Sequence, residues 1–148
     1  MTPAASPDAN VRAVVPFLSV ADMQRSFAYY VDGLGFHAKH EWIVEGRRRW
    51  CWLERGGAAL MLQEFPKQGH DSWVPQGAVG EGVSLWFICE DAIAMYEELR
   101  SRAIDASEPQ VGNGMWTIML SDPDGYRLNF ESATDTPEDT KLSDLSRV

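Results

Sequence analysis

The sequence predicts an α+β domain of two tandem βαβββ modules, whose curved mixed sheets form a cup with helices on the outer face. Three observations carry this expectation. Displacing the chain along itself lays Asp22 on Asp91, Phe27 on Tyr96 and Tyr30 on Leu99, so a strand followed by an aspartate-capped helix occurs twice. Gly56-Gly57 separates two strand-like runs, Trp50 to Arg55 and Ala58 to Phe65, which is a two-residue hairpin signal. The 148 residues, 45% of them hydrophobic, suffice for one buried core.

Taken in order, residues 1–10 read as a disordered lead-in without the basic and apolar regions of a signal peptide. Residues 11–132 form the domain, with module 1 at about 11–66 and module 2 at about 82–132. Val11 to Val20 is apolar without helical period, a first strand. Asp22 caps a helix carrying Met23, Phe27, Tyr30 and Leu34, which Gly33 and Gly35 end. Phe36 to Glu45 is a second strand, followed by Gly46 and a basic turn, Arg47-Arg48-Arg49. The Gly-Gly hairpin sets Leu53 opposite Leu60, Cys51 opposite Leu62, Trp52 opposite Met61 and Trp50 opposite Gln63. Residues 66–80 are rich in breakers and join the halves. Val83 to Glu90 is a strand, Asp91 caps a helix bearing Met95, Tyr96 and Leu99, and a loose segment runs through Gly112 and Gly114. Met115 to Ser121 and Tyr126 to Ser132 are strands around the Asp122-Pro123-Asp124-Gly125 turn. Residues 133–148 are a polar tail, frayed or a short peripheral helix.

The net charge of −9 argues against nucleic acid or an anionic membrane as partner, since both select basic surfaces. It suits solubility or a cationic small molecule. Cys51 and Cys89 lie in strand-like segments without CxxC spacing and read as reduced, buried thiols of a cytoplasmic protein. No apolar run is long enough for a membrane-spanning helix.

Val20-Ala21-Asp22, Tyr29-Tyr30 and Leu34-Gly35-Phe36 together resemble the opening signature of the vicinal-oxygen-chelate, or glyoxalase/bleomycin-resistance/dioxygenase, superfamily. Asp122 to Leu128 is similar to its closing signature, and Phe87 to Leu99 to the start of its second module. In metal-dependent members, the resemblance implies one His or Gln on the first strand of each half and one Glu on the last strand of each. Imidazole and carboxylate ligands leave open positions for two substrate oxygens. The matching positions here are Val15 and Ser84, then Met61 (Gln63 in a shifted register) and Asn129. Valine and methionine offer no hard donor, and serine and asparagine are poor ligands, so no metal and no other cofactor is expected. A slide of the last strands by two would supply Gln63 and Glu131 but leave Val15 and Ser84 unchanged. His37, His40 and His70 lie elsewhere and read as surface residues.

Strand alternation places Leu18, Val20, Leu60, Leu62, Phe87, Leu128 and Phe130 toward the helices. Their neighbours then face the cup: Val15, Phe17, Trp50, Trp52, Met61, Gln63, Ser84, Trp86, Ile88, Asn129 and Glu131. Trp116 and Ile118 join them if the Asp-Pro-Asp-Gly turn pairs simply. The binding set is therefore Phe17, Trp50, Trp52, Met61, Gln63, Trp86, Trp116, Asn129 and Glu131, rigid aromatic walls with sparse polar groups, the composition of a site for flat organic ligands. The same tryptophans would equally suit a packed core or a dimer interface. No catalytic residue stands out.

Two functions follow. The bleomycin-resistance branch, which this chain resembles in acidity, Pro16-containing first strand and missing ligands, implies a metal-free homodimer that sequesters an aromatic or cationic small molecule. The alternative is a metal-dependent lyase, epimerase, thiol transferase or ring-cleaving dioxygenase of the same superfamily.

Overall fold

A computed structural model describes residues 6–70 and 72–145. It contains two four-stranded sheets of identical topology. In module 1 the strands β1 (Phe17–Val20), β2 (His37–Val44), β3 (Arg47–Arg55) and β4 (Ala58–Glu64) are ordered β1-β4-β3-β2. In module 2, β5 (Ser84–Ile88), β6 (Gln110–Gly112), β7 (Met115–Ser121) and β8 (Arg127–Ala133) are ordered β5-β8-β7-β6. The first and last strands of each module pair in parallel, the rest antiparallel.

Helix α1 (Met23–Ala28) follows β1, and α2 (Ala92–Ser101) follows β5. Both start where the repeat puts an aspartate. The Asp22 carboxylate accepts from the Arg25 N–H at 3.1 Å, and Asp91 from that of Ala94 at 2.9 Å. Each thereby satisfies a backbone donor of the first turn that has no partner inside the helix. After α1 the chain widens into a π-turn over Tyr29–Gly33, and Gly35 at φ 79° reverses it. A third, four-residue helix α3 (Leu142–Leu145) lies in the tail.

The Gly56 hairpin has the expected register: Leu53 pairs with Leu60, Cys51 with Leu62, Trp52 with Met61 and Trp50 with Gln63. Four boundaries differ from the sequence expectation. The arginine triplet is not a turn. Glu45-Gly46, both at positive φ, close the β2–β3 hairpin, and Arg47 opens β3. The first strand begins at Phe17: pairing with β4 starts at Phe17↔Met61, and the preceding Pro16, whose carbonyl accepts from the Met61 N–H at 2.8 Å, has no N–H to offer. Residues 11–16 belong to no strand, and Val14 is 90% exposed. Of the expected disordered lead-in, Pro7–Asn10 forms an exposed 3-10 turn and residues 1–5 lie outside the described residues. The loose segment holds β6, whose Asn113-Gly114 turn sits at φ 53° and 74°.

Leu18, Val20, Leu53, Leu60 and Leu62 of module 1 and Ile118, Leu120, Leu128 and Phe130 of module 2 are buried in one continuous core, with Tyr30, Met95 and Leu99 from the helical segments. Each such aliphatic side chain contributes about 1.5–3 kcal/mol through burial. The seam between modules is also polar. The Tyr30 hydroxyl donates to the Asp122 carboxylate at 2.7 Å, and Asp124 accepts from the Ala21 N–H at 3.1 Å and the Ser26 hydroxyl at 3.2 Å. Arg55 makes a two-pronged contact with Glu98 at 2.7 and 3.2 Å. No helix among the described residues is long and apolar enough to cross a membrane.

Candidate functional site

The core lies on the helix-bearing face of each sheet, so the opposite face of each looks away from it. On module 1 that face presents Phe17, Trp42, Trp50, Trp52, Met61 and Gln63. On module 2 it presents Ser84, Trp86, Ile88, Thr117, Met119, Asn129 and Glu131. Phe17 is 50% exposed, Trp42 and Trp86 56%, Met119 57% and Ile88 72%.

Strand alternation thus locates eight of the nine expected binding residues on the faces opposite the helices, Asn129 among them although it is only 5% exposed. Phe17, Trp50, Trp52, Met61 and Gln63 belong to one sheet, and Trp86, Asn129 and Glu131 to the other. The ninth is a correction. Trp116 is 6% exposed and packs against Ala92 and Val111 on the helix side, and Ile118 lies in the core. The cause is the turn. Asp122 accepts from the N–H groups of Asp124 and Tyr126, both at 2.9 Å, while its own N–H donates to the Tyr126 carbonyl. The loop therefore spans residues 122–126, and Ser121 pairs with Arg127. A one-residue slip turns every side chain of β7 to the other face. Thr117 and Met119, not Trp116 and Ile118, share a face with Asn129 and Glu131. Trp42 was missed. It pairs with Trp50 across β2 and β3 only because Arg49 is bulged out; counted simply from the Glu45-Gly46 turn, Trp42 would fall opposite Arg49, on the helix side.

The register makes the two halves equivalent at the positions that matter. Phe17 pairs with Met61 in module 1, and Trp86 with Asn129 in module 2. In module 2 the Asn129 side-chain amide donates to the Ser84 hydroxyl at 2.8 Å, so these two groups engage each other. In module 1 the corresponding positions, Val15 and Met61, are a hydrocarbon and a thioether. Among the described residues no three His, Cys, Asp or Glu side chains converge as a metal-ligand group. These residues do not fit the divalent ion that other members of such a fold hold.

Polar groups beside the tryptophans are held in place. The Trp52 indole N–H donates to Glu54 at 3.1 Å and Lys39 lies 3.3 Å from the same oxygen, so Glu54 is held below the usual carboxylate range. His40 meets the Trp52 ring edge-on at 6.2 Å. At the seam, burial raises Asp122 above an ordinary aspartate despite three hydrogen bonds that favour its charge.

The Glyoxalase/Bleomycin resistance protein/Dioxygenase superfamily profile matches residues 12–130. The chain belongs to this superfamily. Solved structures agree on the fold. TnmS3, described as an antibiotic binding protein from Streptomyces sp. CB03234, superposes with a TM-score of 0.62 at 22% identity, covering 82% of this chain and 97% of its own. TioX from Micromonospora sp. ML1 gives 0.61 at 19% identity, covering 84% and 98%. A glyoxalase/bleomycin resistance protein from Streptomyces sp. CB03234 gives 0.59 at 22% identity, covering 78% and 96%. At such identities the likeness is one of fold. No curated protein matches the chain.

Proposed function

We propose that this superfamily member is a metal-free binding protein. It holds a flat organic molecule against its outward tryptophan faces, and a second copy of the chain closes each face into a cup. The observation that carries the proposal is the exposure of Trp42 and Trp86 (both 56%) and Ile88 (72%) on sheet faces turned away from a finished core. Both β1 and β5 are sheet edges, although on β1 the Ser19 carbonyl already accepts from the Tyr126 hydroxyl at 2.9 Å. A partner's sheet laid over these rings would supply the enclosure that a single chain lacks.

The metal-free part of the reading is supported by the Ser84–Asn129 pair and by Val15 and Met61, which offer a divalent cation no hard, anionic donor. Sequestration needs no catalytic group. The antibiotic-binding description of TnmS3 belongs to that protein and lends the reading a precedent within the fold. A reducing, cytoplasmic location suits the two unpaired thiols, Cys51 and Cys89.

The test is a tryptophan-fluorescence titration with a panel of flat aromatic compounds that includes metal-free bleomycin, alongside light scattering. Saturable quenching at micromolar concentration, weakened in Trp86→Ala, and a dimeric mass are expected. A monomer that quenches with no compound would overturn the proposal.

A further inference from the structure

The arginine triplet that sequence reading assigns to a turn resolves into three different environments. Arg47 lies 3.5 Å from Glu64. Arg48 lies 3.3 Å from Glu41 and covers the Phe27 ring at 3.5 Å, on the helix side. Arg49 is the extra residue of a β-bulge, since Trp42 pairs with Trp50 and Ile43 with Arg48. It is half-buried and has no carboxylate within ion-pair distance among the described residues.

Arg49 lines a concavity of about 680 Å³ between the β2–β3 hairpin and the segment after β4. Trp42, Gln63, Arg47, Lys67 and Glu64 line it as well. Glu64 serves both Arg47 and Lys67, the latter at 3.7 Å, and also accepts from the Met23 N–H at 3.1 Å. Three cations against one carboxylate leave this corner with two positive charges in excess, in a chain whose net charge is −9. Salt screens charges beyond about 8 Å at physiological ionic strength, so the local excess and not the distant negative surface sets the field here.

We propose that this corner binds the oxyanion, carboxylate or phosphate, of a flat aromatic ligand whose ring lies on Trp42 and Trp50. A planar guanidinium with no protein carboxylate can take an oxyanion through two parallel N–H donors, and the adjacent indole supplies the ring contact. The ligand class is thereby aromatic acids or aryl phosphates, the opposite of what the net charge alone would select. The inference rests on the outward face of module 1 being the ligand face.

The experiment uses three probes of one ring and different charge, namely 1-naphthoate, 1-naphthylmethanol and 1-naphthylmethylammonium, titrated against the full chain by tryptophan fluorescence. A fourth, 1-naphthyl phosphate, separates the two oxyanions. One or both anions should bind at least about tenfold tighter than the ammonium, and Arg49→Gln should remove about tenfold of that affinity while Arg100→Gln, with the same change in net charge, removes none. Equal or cation-preferring binding that survives Arg49→Gln would overturn the oxyanion corner and leave the aromatic face standing. Absence of quenching by every probe at millimolar concentration would overturn both. Anion binding that depends on Arg49 in a chain that scatters light as a monomer would keep the corner and remove the dimeric cup.

Discussion

The Asn129 amide donates to the Ser84 hydroxyl at 2.8 Å, tying the two side chains together on the outward face of module 2. Where the resemblance to metal-dependent members implies two ligands, this chain has a neutral amide and hydroxyl. Protein dialysed against Zn²⁺ or Mn²⁺ should therefore retain far less than one ion per chain by elemental analysis, and chelators should leave its melting temperature unchanged. Replacing the pair by Ser84→His and Asn129→Glu should introduce measurable Zn²⁺ affinity, because an imidazole and a carboxylate would then share that face.

Asp122 joins the modules and shapes the loop at once. Asp122→Ala would leave the buried Tyr30 hydroxyl and two backbone N–H groups without their acceptor. The expected cost is about 2–4 kcal/mol, read as a lower urea midpoint. Asp122→Asn keeps one acceptor oxygen and should cost less.

The Arg55–Glu98 pair gives stability an acid limb. Hydrogen bonding from Arg55, with Arg55 and Arg102 charges beside it, lowers the Glu98 pKa. A carboxylate lowered on folding contributes stability that is fully present above its unfolded pKa of about 4.3 and disappears as pH falls through the folded value. Both side chains are about one-third exposed, which holds the contribution to about 1 kcal/mol or less. Glu98→Gln should therefore lower stability slightly at pH 7 and by progressively less as the pH falls below about 4, with denaturant titrations across that range as the check.

The two thiols should separate by reactivity. Cys51 is fully buried, and burial pushes its thiol up to about 11. Cys89 is half-buried with a smaller rise from the same cause. Disulfide-exchange reagents at pH 8 should modify Cys89 first in the folded protein, and both at equal rates in denaturant.

Ile88, 72% exposed on β5, should matter for assembly and not for the core. Ile88→Lys is expected to shift the sedimentation profile toward monomer while changing the unfolding free energy of the monomeric chain by no more than about 0.5 kcal/mol. A profile identical to the native one would remove Ile88 from any interface.

How far the sequence discloses this molecule depends on turn chemistry. The Gly56-Gly57 hairpin has two loop residues and hydrophobic pairs on both sides, so its register was legible to the residue. The Asp122 loop looks like a simple turn yet spans five residues, because its aspartate binds two N–H groups further on, and that hidden residue misplaced Trp116. Asn113-Gly114 carried a strong hairpin signal, but β6 is three residues long and falls below any periodicity. Val11 to Val15 reads as strand by composition, yet pairing with β4 begins only at Phe17, after a proline that has no N–H. The outward residues were legible from alternation. How the two outward faces sit relative to each other was not, because alternation within a strand is silent on how two sheets are placed.

The shared core also determines what a break in the chain would do. Residues of both modules meet around Tyr30 and Leu128, and the connector beyond Pro66 runs exposed before Gly80 docks its N–H on the Asp124 carbonyl. A protease nick near Gly69 should accordingly yield two peptides that elute together as one folded particle and melt in a single step. Separated in denaturant, neither peptide would fold alone, and mixing the two would restore the particle: the sequence repeats, but the unit of folding is the pair.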